Sequence, residues 1–166
     1  DTTTAPAAAD AATQAALERL NTVIDRLIAP DGCPWDSTQT PESLTEYVIE
    51  ECHELVDAIR SGKTADMVEE LGDVAFLILM IGKLMARAGG PSLADALEVE
   101  AAKMVRRHPH VFSDTTYENP SEQLKDWDRI KREEKAAADA EGPKGTYDSL
   151  PRGLPPLTKA YRIHSK

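Results

Sequence analysis

Apolar residues recur along this chain at three- and four-residue intervals, and no segment keeps the two-residue alternation of a strand. A first helix is expected from about Ala11 to Ile28, with Asp10 as its cap and Leu17, Leu20, Ile24, Leu27 and Ile28 as its apolar stripe. Pro30 to Asp36 (PDGCPWD) breaks it into a loop. Thr40 as cap and Pro41 as first helical residue open a second helix that runs to about Arg60 and stops at Ser61-Gly62. Leu44, Val48, Leu55 and Ile59 define its apolar face. A third helix, from near Thr64 to about Ala88, ends at Gly89-Gly90-Pro91. Met67, Leu71, Val74 and Ile78 read as its core positions, and its stretch Val74 to Ile81 (VAFLILMI) is apolar all round, which requires burial on every side. Ser92 caps a fourth helix ending at Arg107-His108-Pro109, and Ser121 caps a fifth from about Glu122 to Ala138. With short connections and no internal repeat, these elements predict an all-α fold, an antiparallel helical bundle of about four to five helices. Residues 1–12 read as a disordered leader, 13–140 as a single helical domain, and 141–166 as a Pro- and Gly-containing arm or short helix.

Two acidic clusters change the picture. Glu50-Glu51-x-x-Glu54 precedes the turn at Gly62, and Glu69-Glu70-x-x-Asp73 follows it. Residues three apart share a helix face. In an antiparallel hairpin, residues equidistant from the turn lie at equal height, and 62 is the midpoint both of 54 and 70 and of 51 and 73. The two pairs therefore face each other, roughly 12 Å from the loop at about 1.5 Å per residue. Glu51 falls within the apolar face of its helix and Glu54 at the edge; Glu70 lies beside the core positions of the next helix and Asp73 further round. Four converging carboxylates cannot all remain ionised in a low-dielectric site without cations. Oxygen donors without thiolates select magnesium, with manganese as a substitute. A di-iron bundle is the competing metal chemistry, but Glu50-x-x-His53 supplies only half of its usual ligand pattern.

Composition bounds the rest. The 166 residues carry a formal charge of -10, which repels phosphate backbones and argues against nucleic-acid binding. Aromatics make up only 5%, in keeping with an aliphatic helical core. Cys33 and Cys52 form neither a C-x-x-C pair nor a zinc pattern and read as reduced thiols of a cytoplasmic protein. No apolar run approaches the roughly 18 residues of a membrane span. Neither does the N-terminus have the basic start and apolar core of a signal peptide.

Together, GCPWD (Gly32 to Asp36), the E-E-x-x-E of Glu50 to Glu54, EELGD (Glu69 to Asp73) and RRHPHVF (Arg106 to Phe112) resemble, in this order, the MazG nucleotide pyrophosphohydrolases. Trp127-x-x-Ile130-Lys131 and LPPLTKA extend the resemblance over roughly residues 15 to 166. It implies a dimerising all-α enzyme that hydrolyses NTPs or dNTPs between the α and β phosphates, giving monophosphate and pyrophosphate, in nucleotide-pool house-cleaning. Carried over by position, Glu51, Glu54, Glu70 and Asp73 would bind the metal. Glu50 would stand behind them, add a ligand or act as base. Lys103 and Arg107, four apart on one helix face, are expected to contact phosphate, with Arg106 as a third candidate. Trp127 and Lys131, also four apart, would stack on base or ribose and reach a phosphate. His108, His110, Trp35 and Cys33 are expected to have structural roles, His53 to lie on the surface, and His164 has none assigned. Two alternatives compete: a pyrimidine-specific dUTP or dCTP pyrophosphatase, and a catalytically silent helical dimer that binds nucleotides or a partner.

Overall fold

A computed structural model describes residues 4–138 and 153–164, and all regular structure among them is helical. The elements are α1 (Thr4–Leu27), a single 3-10 turn (Asp36–Thr38), α2 (Thr45–Ser61), α3 (Thr64–Arg87), α4 (Leu93–Arg107), α5 (Pro109–Phe112), α6 (Pro120–Ala138) and α7 (Pro156–His164). The chain divides into two compact units, 1–100 and 101–166, with the boundary inside α4. Among the described residues no helix is long and apolar enough to cross a membrane.

Several boundaries differ from those expected. α1 begins at Thr4, so Asp10 lies inside the helix and most of the expected leader is helical. The physical reason is the run of alanines at 5, 7–9, 11 and 12, the best helix former, with Pro6 confined to the first turn where its missing N–H costs nothing. At Thr40 the capping chemistry is present: Ser43 N–H donates to Thr40 Oγ1 at 3.2 Å and Thr40 N–H to Ser43 Oγ at 3.0 Å. It closes a separate turn, and regular helix starts only at Thr45. Ser92 caps α4 as expected, in a reciprocal box with Asp95. For α6, the cap is Asn119 rather than Ser121. Its Oδ1 accepts the N–H groups of Ser121 and Glu122, both at 3.1 Å, and Pro120 takes the first helical position. PHVF forms the short helix α5, where the sequence predicts only the end of the fourth helix at Arg107-His108-Pro109. Of the C-terminal arm, 153–164 contain α7, and 141–152 fall outside the described residues.

In the first unit α3 packs on α2 and α1. Ile24 and Ile28, Leu44, and Leu77, Leu79, Met80 and Leu84 form the core, flanked by Leu20, Val48, Phe76, Ile81 and Leu93. Leu17, at the top of the α1 stripe, is exposed. The inward stripe of α2 is Leu44, Val48, Glu51, Leu55 and Ala58, leaving Ile59 exposed. The α3 phase also differs from the expected one: Leu71 and Ile78 are exposed, the buried positions are Leu77, Leu79, Met80, Gly82 and Leu84, and Leu77, Met80 and Leu84 among them form a stripe at helical spacing. A segment apolar all round has no polar side to mark its phase, so packing sets it. Extended towards the turn at the same spacing, this stripe continues through Asp73, Glu70 and Asp66. The seam that is apolar at one end of the hairpin is thus acidic at the other.

Two glycines make this frame possible. Gly62 ends α2 in the left-handed conformation (φ 71°), its N–H donating to the Ile59 carbonyl at 3.3 Å. A Cβ there would meet no other atom, so Gly62→Ala should cost only its backbone strain, about 1 kcal/mol, measurable by urea titration. At Gly32 the obstacle is steric: a Cβ would lie 2.3 Å from the Arg26 carbonyl oxygen and 2.4 Å from that of Leu27. The loop is folded against the open end of α1, with Cys33 N–H donating to the Leu27 carbonyl at 2.9 Å.

Candidate active site

The α2–α3 hairpin brings the two acidic clusters together as the midpoint argument requires. One carboxylate oxygen from each of Glu51, Glu70 and Asp73 lies within 4.8 Å of the others. Glu51 and Glu70 are half-buried and Asp73 is exposed. Glu54 is outside this group of three but adjoins it, lining a small cleft with Glu70, Asp57, Ala58, Ser61 and Asp66. Glu50 is exposed, as are Cys52 and His53. Among the described residues, no Lys, Arg or His forms an ion pair with Glu51, Glu54, Glu70 or Asp73.

The electrostatics follow from that imbalance. Desolvation is the first cause raising the Glu51 carboxyl above its ordinary 4.5, followed by the charges of Glu54, Asp73 and Glu50. Glu70 is raised above 4.5 in the same way, by desolvation and then by Glu54, Glu51, Glu69 and Asp73. An uncompensated all-oxygen donor set, held by two helices, fits a hard divalent cation. A pH dependence is expected as well. A carboxyl raised in the folded state binds its proton more tightly there than in the unfolded chain, so stability falls as pH rises from 4.5 through the raised value. Asp95, Asp126 and Glu134 are lowered by hydrogen bonds, and their stabilisation is lost only at lower pH, below their ordinary 3.8 and 4.5. With divalent ions chelated, the melting temperature should therefore fall as pH rises above 4.5. A melting temperature that rises as the pH leaves 4.5 upward would contradict the uncompensated cluster.

In the second unit the other candidates occupy a polar network. Arg107 donates from Nε to Glu134 Oε2 at 2.9 Å, with its Nη2 2.8 Å from the same oxygen; Arg106 Nε reaches Oε1 at 3.0 Å. Both guanidinium groups expected to meet phosphate are thus engaged by one carboxylate. Lys131 Nζ lies 4.3 Å from the Trp127 ring centre, a cation–π contact made by the four-residue spacing. Glu134 belongs to the same α6 stripe, seven residues after Trp127 and three after Lys131; that spacing was the signal that could have drawn attention to it. Lys103 is half-buried on α4. His108 and His110 are built into the network: His108 Nδ1 donates to the Met104 carbonyl at 2.7 Å, and the His110 ring packs on Tyr117. Tyr117 in turn donates to Asp126 at 2.6 Å.

The fold and the site define an all-helical protein whose distinguishing chemistry is a hairpin of opposed carboxylates. Residues 39–112 match the sequence model of the MazG nucleotide pyrophosphohydrolase domain, and the chain carries that domain. It is 37% identical to the Escherichia coli nucleoside triphosphate pyrophosphohydrolase over 90% of this chain and 56% of that protein. To the Thermotoga maritima nucleoside triphosphate pyrophosphohydrolase/pyrophosphatase MazG it is 40% identical, over 71% of this chain and 45% of that protein. The crystal structure of a mazG-related protein from T. maritima superposes with a TM-score of 0.60 at 29% identity, covering 69% of this chain and 98% of the other. The chain spans 28% to 57% of the length of the curated relatives it matches.

Proposed function

We propose that this chain is a nucleoside triphosphate pyrophosphohydrolase that adds water across the α–β phosphoric anhydride, releasing a nucleoside monophosphate and pyrophosphate. The observation that carries this reading is the convergence of Glu51, Glu70 and Asp73 within 4.8 Å, with Glu54 beside them and no opposing cation among the described residues. The names of the relatives support the same chemistry.

Glu51, Glu54, Glu70 and Asp73 would hold magnesium, or manganese in its place. When bound, the ion supplies charge neutralisation at the phosphates and a lowered pKa for water. The protein's own part is positioning. Two helices joined by a two-residue turn fix the four carboxylates in one register, which suits a loose phosphoryl transition state that needs placement and charge rather than covalent chemistry. Glu50, exposed beside Glu51 and outside the group of three, would stand behind them, add a ligand or act as the base toward the attacking water. Lys103, Arg106 and Arg107 would balance phosphate charge, while Trp127 would stack on base or ribose and Lys131 would reach a phosphate. Exposed Ile59, Leu71 and Ile78 support a homodimer formed through the hairpin. Clearing surplus or damaged nucleotides in the cytoplasm is the role this chemistry suits.

The test is to incubate the protein with each NTP and dNTP and magnesium and to identify the phosphorus products by NMR. Monophosphate plus pyrophosphate is expected. Diphosphate plus orthophosphate would mean a different bond is cut, and activity confined to one pyrimidine dNTP would favour the narrower enzyme. Binding without turnover would favour the silent dimer.

A further inference from the structure

One feature of the first unit has no part in the carboxylate chemistry. Trp35 and Tyr47 meet edge to face, with ring centroids 5.6 Å apart and planes at 88°. Both remain open to solvent, 49% and 40% exposed. An indole that served only to anchor its loop would be expected beneath it, where its apolar area is withdrawn from water. Here the loop is anchored by other means. The Trp35 carbonyl accepts hydrogen bonds from Thr38 Oγ1 at 2.9 Å and Gln39 Nε2 at 3.0 Å. Cys33 N–H donates to the Leu27 carbonyl and Ser37 N–H to the Cys33 carbonyl, each at 2.9 Å. These bonds fix the backbone of the loop, and about half of the indole surface stays open to solvent beside Tyr47.

The location of the pair is informative. Tyr47 precedes Glu50 by three residues and Glu51 by four, so it lies on the same side of α2 as the acidic cluster. The axial separation from Glu51 is about 6 Å, four residues at 1.5 Å each. An edge-to-face pair also leaves ring faces uncovered, available to a third ring.

We propose that Trp35 and Tyr47 form a stacking platform for the nucleobase of the triphosphate whose phosphates meet the carboxylates of the same hairpin, an inference that rests on the pyrophosphohydrolase reading. Stacking uses the π face that every base has, and it is tolerant of base identity for that reason. The platform therefore contributes affinity for purine and pyrimidine nucleotides alike, and its loss affects binding more than turnover.

The experiment compares the full chain with its Trp35→Leu, Tyr47→Leu and Trp35→Phe variants. KM and kcat are measured with ATP, GTP, CTP and UTP and with ribose 5-triphosphate, which lacks a base. Trp35→Leu should raise KM for all four nucleotides by roughly tenfold, the scale of losing one base–aromatic stack, with a smaller change in kcat. KM for ribose 5-triphosphate should not move, and Trp35→Phe should recover most of the loss. An equal rise with the baseless compound would make the residue structural and overturn the proposal. So would an unchanged KM for the nucleotides, an effect restricted to one base, or a loss that tracks a change of oligomeric state in sedimentation. If the unaltered protein turns over no nucleotide, the pyrophosphohydrolase reading fails instead. Equilibrium dialysis of ATP against the protein and Trp35→Leu then decides the platform alone, equal affinity counting against it.

Discussion

Asp73→Asn and Glu54→Gln should each lower nucleotide hydrolysis by about 100-fold or more, because on the proposed metal role each variant removes one carboxylate from a cation that would contribute several kcal/mol of transition-state stabilisation. The same substitutions should leave helicity intact and raise the melting temperature of the metal-free protein. That second half separates a functional cluster from a structural one. Glu51 and Glu70 are held above their ordinary carboxyl range by desolvation first and then by neighbouring charges, those of Glu54 and Asp73 among them. Removing either neighbour relieves repulsion that no ion pair offsets among the described residues. Residues retained for folding behave in the opposite way, losing stability when a charge is deleted. Hydrolysis measured as pyrophosphate release, with a thermal melt in chelator, gives both quantities from one preparation. Near-normal turnover would remove that residue from the site, and a melting temperature lowered by several degrees would make it part of the scaffold.

The register of this site was legible in the sequence because a tight turn converts numbering into height. With Gly62 fixed in the left-handed conformation, residues summing to 124 must lie opposite one another, whatever the details of packing. The rotation of the helices was less legible. Val74 to Ile81 is apolar in every direction, so the face that buries Leu77, Met80 and Leu84 and leaves Ile78 exposed is chosen by α1 and α2 rather than by composition. Once that phase is known, Glu70 and Asp73 fall on the same stripe as the core, which accounts for their direction better than the phase first expected. The α6 spacing marks Glu134 itself, but its pairing with Arg106 and Arg107 was not legible. It joins residues 27 and 28 positions apart, and periodicity along one helix carries no information about such pairs. Asn119 is hard to tell from Ser121 for a local reason: both fit a cap, and only Pro120 at the first helical position decides between them.

The Glu134 contact leads to an asymmetry between adjacent arginines. The Arg107 side chain is 18% exposed and its Glu134 partner 23%, whereas the Arg106 side chain is 56% exposed. A charge-assisted hydrogen bond removed from the better-covered pair costs more, because the remaining carboxylate keeps its partial desolvation without its partner. An ion pair on a side chain as exposed as Arg106 is screened and contributes at most about 0.5 kcal/mol. Arg107→Met should therefore lower the urea midpoint clearly more than Arg106→Met, whose effect should be close to nil. The kinetic expectation rests on the phosphate role assigned to Arg107. Its guanidinium spends the ligand-free state on a carboxylate that imitates phosphate, so Glu134→Gln should weaken that competitor and lower KM for ATP severalfold. Arg107→Met should raise KM in every background, including Glu134→Gln, where no buried carboxylate remains to be stranded. If Arg107→Met alters stability and leaves KM unchanged, the pair is an anchor between α4 and α6, and phosphate is met by other groups.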